Sequence, residues 1–163
     1  MIKNNNIEIV LVLDNIRSMH NIGSIFRTCD SLGGKRIILC GICAVPPNKE
    51  IHKTALGATD SVPWKYYHHT NDAILELKRK DYEIVSIEQD QNSISLNEFQ
   101  PKKRKLALIL GNEVKGINND IIKLSESIIE INQHGIKKSM NVGIVAGIVI
   151  WSILKRTQGT ILI

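Results

Sequence analysis

The sequence predicts an α/β protein: a mainly parallel sheet with helices on both faces. Three observations carry that prediction. Short apolar runs bounded by turn residues alternate with segments of helical periodicity. The runs are apolar almost throughout, as strands covered on both faces are. The length fits one domain with a sizeable core, with 163 residues of which 43% are hydrophobic.

The first strand is read at 7–13, followed by a helix at 22–32 with Ile22, Ile25, Phe26 and Cys29 on its apolar face. Asn21 then sits at the helix entrance and Arg27 on another side. Gly23, one turn before Arg27, is expected to leave open space beside the guanidinium. A second strand spans 35–40. Pro46-Pro47-Asn48 marks a loop. Beyond it, 48–58 interleaves Lys49, His52 and Lys53 with a short apolar helix-like pattern, a candidate RNA-facing segment.

A helix at 71–80 leads to a strand at 83–87. The loop Pro101-Lys102-Lys103-Arg104-Lys105 carries a basic run, most simply a solvated approach to the strand at 106–110. A helix at 118–124 and a strand at 127–131 precede the final helix at 140–155. Its stretch 142–154 is the most apolar of the chain, yet it falls short of the ~20 residues a bilayer span takes. Ser139 or Asn141 is placed to cap this helix. Gly143 and Gly147, one turn apart, would let another helix approach closely, in the core or across a dimer.

The net charge of +5 suits a polyanionic partner. There are three cysteines, an odd number, and no signal peptide is visible, which points to a reducing compartment and a cytoplasmic protein. Cys40 and Cys43 form a lone C-x-x-C with no second pair and no matching His spacing, so no metal site is expected. The pair ends a strand instead of opening a helix, so core packing is the better reading than redox use.

Three polar clusters each follow an apolar strand: 21–27, 111–113 and 132–141. In a parallel sheet the strand ends share one edge, so the clusters should converge there. Gly111 and Gly116 have the spacing of a phosphate-binding loop, but Ile117 and Asn118 stand where Lys and Ser or Thr would be needed. No G-x-G-x-x-G follows a strand, so a dinucleotide fingerprint is absent.

Together the clusters resemble the TrmH/SpoU-type RNA 2′-O-ribose methyltransferases of the SPOUT class. Asn21-x-Gly23-x-x-x-Arg27-Thr28 matches the first motif of that family, and Leu110-Gly111-Asn112-Glu113-x-x-Gly116 the second. Ser139-Met140-Asn141-Val142 matches the third, and Lys53-x-Ala55-x-Gly57-Ala58 fits a further segment. Order, spacing and strand contexts agree over nearly the whole chain.

The resemblance implies a single SPOUT domain over 1–163 with a C-terminal trefoil knot (the alpha-beta knot), an exception to the rule against threaded chains. It implies S-adenosyl-L-methionine as cofactor, held around Ile87, Glu88, Gln89, Leu110, Gly111, Ile131 and Met140. It implies transfer to tRNA or rRNA, no metal, no membrane, and a homodimer whose active site draws on both subunits. Arg27, Asn21, Glu113, Ser139 and Asn141 become the catalytic candidates, and Arg17, Lys53, Lys137 and Lys138 the RNA contacts.

An arginine stays protonated, so Arg27 is expected to bind the RNA phosphate or the 2′-hydroxyl and polarise it, with an adjacent phosphate taking the proton. Asn132-Gln133 stands where many relatives have Pro-Met, Gly143 where many have Ser, and Met140 for the usual Leu. The chain shows no extra N-terminal RNA-binding domain of the kind some relatives carry, so RNA choice is expected to come from this domain or a partner. The main alternative is a non-catalytic RNA-binding homodimer of the same fold; a base methyltransferase is disfavoured by the Asn-x-Gly-x-x-x-Arg pattern.

Overall fold

The computed structural model describes residues 7–158. The first strand, β1 (Glu8–Asp14), sends Ile9, Leu11 and Leu13 into one core and Val10 and Val12 into the other. Helix α1 (Met19–Ser31) follows. Its N-cap is Ser18, whose Oγ accepts from the Asn21 N–H at 3.2 Å, and it buries the apolar face expected of it. Next come β2 (Arg36–Cys40), α2 (Lys49–Ala55), α3 (Ala58–Ser61), β3 (Trp64–Tyr67) and α4 (Thr70–Arg79). The chain continues through β4 (Glu83–Ile87), β5 (Ile94–Ser95), β6 (Lys105–Leu110), α5 (Asn119–Ile122), β7 (Ser127–Glu130) and α6 (Val142–Gln158).

The seven strands form one sheet in the order β3-β2-β1-β6-β4-β7-β5, and every pairing is parallel. One face is covered by α1, α2 and α6, through residues such as Phe26, Ile51, Ala146 and Ile150. The other takes α4 and α5, through Ala73, Ile74, Leu77 and Ile121. Helices on both faces of a parallel sheet are what the sequence predicts.

Strands β3 and β5 and helix α3 lie outside the elements read from the sequence, while α2 falls within the helix-like segment at 48–58. Strand β3 lies at the sheet edge, with exposed Trp64 and Lys65 and half-buried Tyr66 and Tyr67, so it lacks an apolar run. Strand β5 is two residues long. Helix α2 buries only Ile51 and Ala55, and α3 is one turn. The predicted start of α6 moves from 140 to Val142 because Asn141 is the cap: its Oδ1 accepts from the Gly143 N–H at 2.9 Å and the Ile144 N–H at 3.4 Å. Gly143 and Gly147 pack inside the chain against α1, where added Cβ atoms would lie 3.4 Å from Ser24 Cβ and 3.6 Å from Thr28 Cγ2.

The C-x-x-C is core, as expected. Cys43 donates its thiol to the Leu13 carbonyl at 3.3 Å, and burial pushes the Cys40 and Cys43 thiols up to about 12 and about 11. The basic loop sits at the N-terminal edge of the sheet. The buried Glu83 carboxylate accepts from the Lys102 and Lys103 N–H groups at 2.7 and 3.0 Å, and Lys103 Nζ meets Asp81 Oδ1 at 2.8 Å.

On α4, Glu76 accepts from Lys80 Nζ at 2.6 Å, from the Tyr67 hydroxyl and from Lys65 Nζ at 3.0 Å. Led by Lys80, these donors hold its carboxyl at about 2 instead of 4.5. A carboxyl depressed by folding stabilises the native state above its unfolded value, and the contribution is lost as pH falls through the folded value. Glu76→Gln should therefore lower the melting temperature at neutral pH. The difference should close between about 4.5 and about 2 in melting curves recorded against pH.

Candidate active site

The register makes Leu13, Leu110, Ile87 and Ile129 lateral neighbours across β1, β6, β4 and β7. The segments leaving the last three strands enclose a cavity of about 510 Å³. Ile87, Glu88 and Gln89 form one wall, and Leu110, Gly111 and Asn112 another. Ile131, Met140, Val142 and Val145 close the third side. All seven residues predicted to hold a cofactor line this one space.

Its central loop is folded back on itself. A Cβ on Gly111 would lie 2.6 Å from Ile117 N and 2.7 Å from the Gly116 carbonyl carbon, so only glycine fits. Asn112 Oδ1 accepts from the Val114 and Lys115 N–H groups, each at 2.9 Å, while its Nδ2 donates to the Asn15 carbonyl at 2.7 Å. Glu88 Oε2 accepts from the Ile117 N–H at 2.8 Å, so this carboxylate braces the loop while lining the cavity. The bracing role of Asn112 was legible only as part of the Gly-Asn-Glu cluster.

At the rim the three polar clusters meet in one hydrogen-bonded chain. Glu113 Oε1 accepts from Asn21 Nδ2 and from the Ser18 N–H, both at 3.0 Å, and Oε2 accepts from the Arg17 N–H at 3.0 Å. Asn21 Oδ1 accepts from Asn141 Nδ2 at 3.0 Å. A carboxylate only accepts, so Glu113 fixes the orientation of the Asn21 amide, which in turn fixes that of Asn141. This leaves Asn141 Oδ1 free to cap α6. Burial raises the Glu113 carboxyl, but the Arg17, Ser18 and Asn21 donors outweigh it and hold the group below its ordinary range. Ser139 lines the same cavity.

Arg27 lies elsewhere. It is exposed and lines a second cavity of about 540 Å³ between α1 and α2, with Ser24, Thr28, Ser31, Lys53 and Thr54. It lies six positions beyond Asn21, which is ~9 Å along a helix and about a third of a turn off in direction. A single chain therefore does not join Arg27 to the other four catalytic candidates. The expectation for Gly23 also needs correction. Its Cβ would lie 2.1 Å from Thr54 Oγ1 and 2.2 Å from the Ile51 carbonyl oxygen, so Gly23 admits α2 against α1 and makes no room for Arg27.

Three residues beside the second cavity were not anticipated. Glu50 bridges His20 Nε2 at 3.0 Å and Lys53 Nζ at 2.7 Å, and Thr54 Oγ1 donates to the His20 carbonyl at 2.8 Å. Of the remaining RNA candidates, Lys138 lines the first cavity, whereas Arg17 and Lys137 are exposed and line neither. Among the described residues no group of three or more His, Cys, Asp or Glu side chains could hold a metal ion, and no helix is long and apolar enough to cross a membrane.

Comparison with known proteins gives a consistent result. The model of the SpoU rRNA Methylase family matches residues 8–151. The 23S rRNA (guanosine-2′-O-)-methyltransferase RlmB of Bordetella pertussis is 26% identical over 151 residues, covering 93% of this chain and 61% of that protein. The tRNA (guanosine(18)-2′-O)-methyltransferase of Aquifex aeolicus is 25% identical over 155 residues, covering 93% of this chain and 71% of that protein. The AdoMet-bound rRNA methyltransferase structure from Sinorhizobium meliloti superposes with a TM-score of 0.85 at 25% identity, over 95% of this chain and 59% of that one. The chain thus spans about six-tenths of the length of several relatives it matches.

Proposed function

The chain belongs to the SpoU rRNA methylase family, and from that premise we propose that it transfers a methyl group from S-adenosyl-L-methionine to a ribose 2′-hydroxyl of tRNA or rRNA. The observation that carries the proposal is the hydrogen-bonded chain Asn141–Asn21–Glu113 at the rim of the 510 Å³ cavity. The cavity fits the cofactor. Its volume lies within the roughly 300–1,000 Å³ of small-molecule clefts. Its walls combine apolar Ile87, Leu110, Ile131 and Met140 with main chain bared at Gly111. The bound cofactor would supply a methyl group already activated on a sulfonium, which needs no metal.

This chain's residues would then bind and orient. Asn21, Glu113, Ser139 and Asn141 shape the rim. The planar Arg27 guanidinium holds the RNA phosphate or hydroxyl, with an adjacent phosphate as proton acceptor. Arg17, Lys53, Lys137 and Lys138 extend the RNA contact. Arg27 and the cofactor cavity would be united in a homodimer, one subunit's Arg27 facing its partner's cavity. The outer face of α6 supports this, with Ile144 at 56%, Ile148 at 36% and Trp151 at 37% exposure in one stripe. The reading further takes 1–163 as one SPOUT domain, threads its C-terminal part into a trefoil knot, and places the protein in the cytoplasm.

Two measurements test it together: calorimetry with S-adenosyl-L-methionine, and transfer of labelled methyl groups to total RNA followed by nucleoside analysis. The expected product is a 2′-O-methylated nucleoside. A base-methylated product overturns the ribose assignment. Absence of cofactor binding overturns the enzyme and favours the non-catalytic RNA-binding homodimer.

A further inference from the structure

Residues 131–141 leave β7 and enter α6 without regular structure. Most of this strap faces water, and Ile136 is 97% exposed. Yet Lys138, Ser139 and Met140 form part of the cavity wall. Among the described residues, 134–140 make a single hydrogen bond to the rest of the chain: the Lys138 carbonyl accepts from Gln89 Nε2 at 2.8 Å.

The donor stands on a firm base. The neighbouring Glu88 N–H donates to the Ile129 carbonyl at 3.0 Å, Glu88 Oε2 accepts from the Ile117 N–H, and Glu88 Oε1 accepts from the Gln89 N–H at 3.1 Å. One side of the contact is therefore fixed at the end of β4, and the other lies on a solvated strap hung between Ile131 and Asn141. Lifting residues 134–140 breaks this one bond and exposes backbone that water can satisfy.

We propose that Gln89 is a positioning residue of the cofactor cavity: its side-chain amide latches the 131–141 strap shut and sets how fast the cofactor leaves. The inference rests on the cofactor reading above, but it gives Gln89 a task other than touching the ligand. A residue acting only as a direct ligand would leave strap opening in the cofactor-free protein unchanged when replaced.

The strap carries its own reporter, because Lys137 and Lys138 are exposed trypsin sites. The experiment compares the full chain with Gln89→Leu and Gln89→Glu, which lack the amide donor and keep similar bulk. Limited trypsin digestion without cofactor is followed by mass spectrometry of cleavage after Lys137 and Lys138. Both variants should be cut about five- to tenfold faster at these sites, the effect of losing one neutral hydrogen bond. Their melting temperatures should stay close to that of the parent chain.

Added S-adenosyl-L-methionine should slow cleavage of the parent chain, and rapid mixing should show faster cofactor release from both variants. Equal cleavage rates without cofactor, or cofactor that binds and leaves the strap as easily cut, overturn the latch. If no cofactor binds to any of the three proteins, the functional reading fails, while the cofactor-free cleavage rates still decide whether Gln89 holds the strap.

Discussion

Replacing Arg27 with Ala should lower methyl transfer at least ~100-fold, the scale of losing one positioned donor at a reacting oxygen. Cofactor affinity should stay within about twofold, since Arg27 lines the second cavity and not the first. Stability should also hold, because the Arg27 side chain is exposed and no hydrogen bond or ion pair ties it to another described side chain. Arg27→Lys restores the charge but not the planar fork, and should recover only part of the rate. Initial rates on a mapped RNA substrate, together with calorimetric titration of S-adenosyl-L-methionine, check both halves. A matching fall in cofactor affinity would sink the two-cavity assignment.

Gly23→Leu should be strongly destabilising. Even a Cβ meets Thr54 Oγ1 at 2.1 Å and the Ile51 carbonyl oxygen at 2.2 Å, and the second of these is backbone that cannot swing away. Overpacking of this kind costs roughly 3 kcal/mol at the upper end of its usual range. In a chain of this length each kcal/mol moves the melting temperature by about 2–4 °C, so a fall of roughly 6–12 °C is expected by scanning calorimetry. The displaced α2 carries Lys53 away from Arg27. RNA affinity should therefore drop further than cofactor affinity, which gel-shift and calorimetric titrations separate.

The layers of the fold were readable because β1 and β6 are buried on both faces. Ile9, Leu11 and Leu13 serve one core while Val10 and Val12 serve the other, leaving an unbroken apolar run. Convergence of the three clusters followed from parallel strands sharing one edge. Edge strand β3 escaped because only half of its four residues are even partly buried.

Gly23 was misread because helical spacing tells which face a residue is on, not which neighbour presses against it. The separation of Asn21 from Arg27 was already contained in a six-residue offset, but a shared motif hid it. Glu113 makes two of its hydrogen bonds to main-chain N–H groups, at Arg17 and Ser18, and such partners leave no trace in residue type. The contact between Gln89 and Lys138 joins positions 49 apart, and no local pattern announces it.

Cys29, Cys40 and Cys43, the only cysteines of the chain, are all buried, with thiols raised to about 11 or 12. At neutral pH almost none of this sulfur is thiolate, the form that maleimides and other electrophiles attack. The chain should therefore react only slowly with thiol-directed dyes while keeping all its native cysteines. A single cysteine introduced at Ile136 would stand out against that background, giving a fluorophore on the strap a clean optical view of its opening and closing.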